Sequence, residues 1–217
     1  MIKLKVKHYF FAAVTLALVA MIFSSMVVGH KASAVKHHSV TASSFKNDPQ
    51  ERLLNSIATK GLDQTQRAVL VIAKQQYALH PTSFDATVLQ YTDGGEEPWC
   101  ADFISWVLMQ ANVQYQSSTD GWRIPGVDTL QEYYQGYNSY SDLTDNYTPR
   151  LGDVAFYTGV TPDGSSSSHV ALILGYASGR IITIGGNEGA GAGTVQVRDD
   201  LFQSGAVGLS GVGKSNI

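Results

Sequence analysis

"HVALILGYASGRIITIGGN", residues 169–187, reads as two β-strands joined by a short turn. Both arms are rich in Val, Ile and Leu, and Ala177-Ser178-Gly179 between them is turn chemistry. With a three-residue loop, paired residue numbers sum to 356 and His169 stands opposite Asn187. Val170, Leu172 and Leu174 then share a face with Ile182 and Ile184. A two-residue Ser178-Gly179 turn gives 357 and sets Glu188 opposite His169, but mixes that face with Thr183 and Gly185. A one-residue slip exchanges the faces of a strand, so the apolar pattern favours the first register.

Further strands lie around this hairpin. "DVAFYT", "TVQVRD" and "AVGLSGVG" are short, β-branched and bounded by turn residues. The first half reads as helices instead. Asp48-Pro49-Gln50-Glu51 opens one in a capping-box-like pattern, with Leu53, Leu54 and Ile57 on its apolar face and Gly61 as its stop. Asp63 and Gln66 open a second that runs to Pro81. Residues 82–98 read as loop. A third helix spans about Trp99–Ala111 and buries Phe103, Ile104, Val107 and Leu108. Asp128 and Gln131 cap a fourth, which Gly136 ends. Helices first and strands later predict an α+β fold with an antiparallel sheet of about five strands.

Cys100 is the only cysteine of the 217 residues and falls at the start of the third helix. The free N–H groups and dipole of a helix start favour an anion, the form in which a thiol is nucleophilic. Glu96 and Glu97 oppose that charge, so a cysteine nucleophile here needs a cationic partner, normally histidine. Beyond residue 47 the histidines are His80 and His169. His80 sits between Leu79 and Pro81, where capping a helix end explains it. His169 opens a strand directly after the loop "GSSSS", a suitable place for an exposed base.

Other chemistries find little support. One cysteine and two core histidines do not supply a structural zinc site. "GAGAG" at 189–193 lacks dinucleotide-binding spacing and reads as a hairpin loop, and Val212 breaks any nucleophile elbow around Ser210. The acidic loops Asp93–Glu97 and Asp142–Asp145 lack calcium-loop spacing. The tyrosines of "EYYQGYNSY", 132–140, either line a sugar or peptide groove or pack beneath a loop.

The N-terminus has the features of an export signal. Lys3, Lys5 and Lys7 precede an apolar run from Tyr9 to Gly29, followed by Ala32-Ser33-Ala34. Residues 1–34 are thus a cleaved signal peptide or an uncleaved membrane anchor, and 35–47 a flexible tether to a domain spanning 48–217. Without residues 1–34, 11 basic and 18 acidic residues remain, a formal charge of −7. Such a surface argues against nucleic-acid binding and against general attraction to anionic membranes or wall polymers. One exported cysteine cannot form an internal disulfide, so Cys100 is reactive, bridged to another chain, or a small buried hydrophobe.

Four pieces in this order, "PWCADFISWVL" (98–108), "PRLGDVAFY" (149–157), "SHVALILG" (168–175) and "IITIGGNEG" (181–189), resemble the CHAP family of cysteine, histidine-dependent amidohydrolases/peptidases. The resemblance covers roughly residues 64–213. It implies a papain-like fold and acyl transfer on peptidoglycan, with Cys100 as nucleophile, His169 as base and Asn187 orienting the imidazole. Members often carry a glutamate two positions before that asparagine, where this chain has Gly185. Asp153 matches a position that closes a turn ahead of a strand. The chemistry requires no metal or organic cofactor. The expected protein is a monomeric, secreted or membrane-tethered hydrolase of the cell wall without an appended wall-binding domain. A membrane is a partner only if the N-terminal segment stays uncleaved. Two alternatives are a non-catalytic wall-binding or assembly protein that keeps the fold, and a surface protein bridged through Cys100.

Overall fold

The computed structural model describes residues 48–116, 121–159, 168–189, 193–203 and 208–217. The export signal and tether, most of the loop before His169 and the middle of "GAGAG" lie outside the described residues. No helix among the described residues is long and apolar enough to cross a membrane.

Five helices lead into the sheet: α1 (Pro49–Ser56), α2 (Gln64–Leu79), α3 (Ala86–Tyr91), α4 (Cys100–Gln110) and α5 (Val127–Gly136). Asp48 caps α1 by accepting from the Gln50 N–H at 2.9 Å. The reciprocal capping box occurs at α2, where Asp63 accepts from Gln66 N–H and Gln66 from Asp63 N–H. Helix α1 ends at Ser56, ahead of the expected stop at Gly61. The Ser56 hydroxyl donates to the Leu53 carbonyl at 2.7 Å, which competes with continuation of the helix.

Helix α3 corrects the reading of 82–98 as loop. Asp85 caps it by accepting from the Thr87 and Val88 N–H groups, and Val88 and Tyr91 are buried on one side. Six residues are too few for a helical period to stand out. The N-cap of α5 is Gly126, and Asp128 sits inside the first turn, where a carboxylate favours the dipole without closing the end.

Six strands, β1 (Tyr140–Asp142), β2 (Val154–Tyr157), β3 (His169–Ala177), β4 (Arg180–Glu188), β5 (Thr194–Leu201) and β6 (Leu209–Gly213), form one antiparallel sheet. Their order is β1-β6-β2-β3-β4-β5. The extra strand, β1, has only three residues and pairs with β6 at the sheet edge. Helix α4 packs on β3 and β4. Val170, Leu172, Leu174 and Ile184 join its Phe103, Ile104, Val107 and Leu108 in the main core, with Ile182 packed alongside. Ala171 and Ile173 enter a smaller cluster with Tyr157 and Ile181. This two-sided burial explains why β3 reads as a continuous apolar run.

The start of α4 is held by an aromatic knot. Trp99 is buried, donates its indole N–H to the Ser83 hydroxyl at 3.0 Å, and meets Phe103 edge-on. Strand β4 passes so close that a Cβ on Gly186 would lie 2.6 Å from both Trp99 and Phe103 atoms. A side chain there would force the helix and its cysteine off the sheet.

Asp153 has the expected turn-closing role. Its carboxylate accepts from the Tyr147 hydroxyl at 2.7 Å, the Arg150 N–H at 2.8 Å and the Ser215 N–H at 3.1 Å. Asp153→Ala leaves these donors without their partner and is expected to cost about 3 kcal/mol. Thermal or urea unfolding reads this directly. An unchanged midpoint would mean the carboxylate does not hold the turn.

Candidate active site

The β3–β4 hairpin departs from the register expected for it. Ala177 pairs with Arg180, so the turn is the two-residue Ser178-Gly179, with φ of 52° and 74°. Positive φ at both positions suits a tight hairpin turn. A bulge at Leu174 then shifts the ladder, and Leu172↔Ile184 and Ile173↔Thr183 follow the 356 register after all. That extra residue explains why the apolar faces were read correctly with the wrong turn.

Beyond Ile184 a second irregularity intervenes. Strand β4 slips by one residue against β5 between Gly185 and Glu188, and Asn187 takes a left-handed φ of 57°. The second bulge offsets the first. Glu188 therefore meets His169, with Oε1 at 2.9 Å from Nε2. This corrects the expected His169–Asn187 pairing. Asn187 is half-buried and lines a cleft with Glu96, Glu97, Pro98 and Trp99. The cleft has a volume of about 280 Å³ and runs beside the start of α4.

Glu188 reaches His169 through space that Gly185 leaves open. A Cβ on Gly185 would lie 2.3 Å from Glu188 Oε1 and 3.1 Å from His169 Nε2. The other carboxylate oxygen, Oε2, accepts from Arg198 Nε at 3.3 Å. Glu188 is 2% exposed, so this guanidinium and the imidazole supply the charge compensation that a buried carboxylate needs. In the sequence Glu188 faces His169 only in the two-residue-turn register, and Arg198 carries no signal of a role. The alternation of β5 places Arg198 next to β4, but nothing in its local sequence marks it.

Cys100 is the first residue of α4 and is buried. Its N-cap, Trp99, provides no side-chain hydrogen bond, so no capping side chain competes with an anion at the helix start. His169 opens β3, paired with Tyr157 and buried. Burial alone pushes an imidazole down. Hydrogen bonding to Cys100 and Glu188, and the negative charge of each, outweigh burial and bring the His169 pKa up to about 10. With Nε2 engaged by Glu188, Nδ1 is the ring nitrogen left for the sulfur. Cys100 thus lies near enough to His169 to act on its charge, and Glu188 and Arg198 stand behind the imidazole.

The carboxylates near Cys100 also have a counter-charge. Arg123 ion-pairs with Glu97 and donates from Nε to Asp102 Oδ1 at 2.6 Å. Asp102 lies in the first turn of α4 and is fully buried. Burial pushes its carboxyl up to about 6 despite Arg123. Arg123 sits in an irregular stretch, "GWRIPG", that gives no hint of this contact. His80 is the left-handed C-cap of α2 with its ring on Tyr77, as its sequence position suggested.

Comparison with known proteins adds one match. The family model described as the CHAP domain matches residues 91–187, a span that holds α4, β2, β3 and most of β4. No curated protein and no solved structure matches the chain.

Proposed function

We propose, for a chain that carries a CHAP domain over residues 91–187, that it is an exported cysteine hydrolase of peptidoglycan. It cuts an amide bond, either as an amidase at the sugar–peptide junction or as an endopeptidase in the stem or cross-bridge. The observation that carries this reading is the buried His169–Glu188 pair beside a cysteine at a helix start.

The reaction follows from that arrangement. Imidazolium held against a carboxylate favours a thiolate beside it. Cys100 Sγ attacks the amide carbonyl carbon, and the π pair moves onto oxygen. Helix-start N–H groups at α4 stabilise that oxyanion as it forms. Collapse of the tetrahedral intermediate breaks the C–N bond, and His169 gives its proton to the departing amine. Cys100 is left as a thioester. His169, now neutral, takes a proton from water, whose oxygen attacks the thioester carbon. Sulfur leaves as thiolate, which restores the ion pair and releases the carboxylic acid. Glu188 keeps the ring oriented and stabilises its charged form, and Arg198 steadies Glu188.

Digestion of purified peptidoglycan followed by mass spectrometry tests the reading. Expected products carry one new amine and one new carboxylate per cut. Free stem peptides with intact glycan identify an amidase; shortened stems or opened cross-bridges identify an endopeptidase. Peptidoglycan recovered without new termini after incubation with reduced, folded protein would overturn hydrolysis.

A further inference from the structure

A second cleft, of about 470 Å³, opens at the far end of the cysteine helix and is lined in part by Asn112, Gln114, Gln116, Tyr133 and Tyr137. Helix α4 has 11 residues, so its two ends lie about 16 Å apart and this cleft is separate from the one beside the helix start. Its rings are fixed in place. The Gln116 N–H donates to the Tyr133 hydroxyl at 3.0 Å, and the Tyr137 hydroxyl donates to the Gln116 carbonyl at 3.1 Å. Tyr133 and Tyr137 stand 4.8 Å apart, tilted by 44°. Tyr133 also rests edge-on against buried Tyr115 and Tyr134. Tyr137 nevertheless remains 47% exposed, so its ring is open to a ligand.

The chemistry of the lining narrows the ligand. Amide side chains, hydroxyls and aromatic rings predominate in the lining, beside the aliphatic Val113 and Ile217. Lys214 is the only charged side chain among the described lining residues, and its ammonium lies over the Tyr147 ring at 5.3 Å. A stem peptide finds a single ammonium for its several carboxylates and no carboxylate side chain for its amines among the described lining residues. A neutral N-acetylated sugar finds rings for its C–H face and amides for its hydroxyl and acetamido groups. Immobilised rings add no ordering cost on binding.

We propose that this tyrosine cleft is a glycan-binding site that holds the sugar backbone of the wall. It rests on peptidoglycan being the substrate, and it gives the domain its own grip on the wall.

The test uses the full chain carrying Cys100→Ala, so that binding is read without cutting, and oligomers of β-1,4-linked N-acetylglucosamine as the probe. Titration calorimetry should show saturable binding. Adding Tyr137→Ala should weaken it about tenfold, whereas Tyr137→Phe, which keeps the ring, should retain most of it. With Cys100 intact, Tyr137→Ala should slow digestion of insoluble wall and leave cleavage of small soluble muropeptides unchanged. No saturable binding of the oligomers, or equal affinity with and without the Tyr137 ring, overturns the proposal. Tyr137-dependent binding of free stem peptide in place of the oligomers also overturns it. The two readings fail separately. Oligomers that bind to a protein unable to cut any wall leave the cleft standing and remove the hydrolase; a wall that is cut without oligomer binding does the reverse.

Discussion

Cys100→Ala is expected to reduce muropeptide release by about 10⁴-fold or more, to the level of a buffer control. The change removes one sulfur from a buried position at the start of α4 and leaves Trp99 and Phe103, which anchor that end, untouched. Unfolding is therefore not the cause, and a thermal midpoint within a few degrees of the parent checks this. His169→Ala should fall nearly as far, and the double variant little further, because the two groups act as a unit. His80→Ala is the internal control: it alters the left-handed C-cap of α2 and should leave the rate close to the parent. Full release by purified Cys100→Ala would end the cysteine mechanism. Equal loss from both histidine variants would show that the base has been misassigned.

Cys100 and His169 were legible in the sequence because each combines a rare residue with an informative position. A lone cysteine at a helix start and a histidine opening a strand leave few alternatives. The core face of β3 was legible for a similar reason, since Val170, Leu172 and Leu174 recur at the period of a strand. What stayed hidden depends on single-residue events in the backbone. The bulge at Leu174 and the left-handed Asn187 each shift the ladder by one, and no side-chain pattern announces either. The two shifts cancel, so the register of the two-residue turn is restored and Glu188, not Asn187, stands at the imidazole. Arg123 and Arg198 stayed hidden on other grounds. Each is a long side chain that reaches a carboxylate on a different element, so only the tertiary structure joins them. Helix α3 was lost to its length.

Glu188→Gln should lower kcat about 10²–10³-fold, and Gly185→Ala should resemble it in direction. The first variant keeps the volume of the side chain and removes the charge that retains the proton on His169. The pKa of about 10 depends in part on that carboxylate, so its loss moves the pKa down. The falling alkaline limb of kcat/KM, which reports loss of the imidazolium proton in the free enzyme, should therefore begin at lower pH. Gly185→Ala acts on the same contact by space instead of charge. Its methyl would stand 2.3 Å from Glu188 Oε1, a separation that atoms do not tolerate, so the carboxylate must leave the imidazole. Two changes that abolish one contact are not additive: the double variant should be little worse than the more severe single one. Asn187→Ala provides the contrast. Its side chain lines the cleft beside Trp99, so it can alter KM without moving the pH limb. A shifted alkaline limb in Asn187→Ala and an unshifted one in Glu188→Gln would return the orienting role to the asparagine.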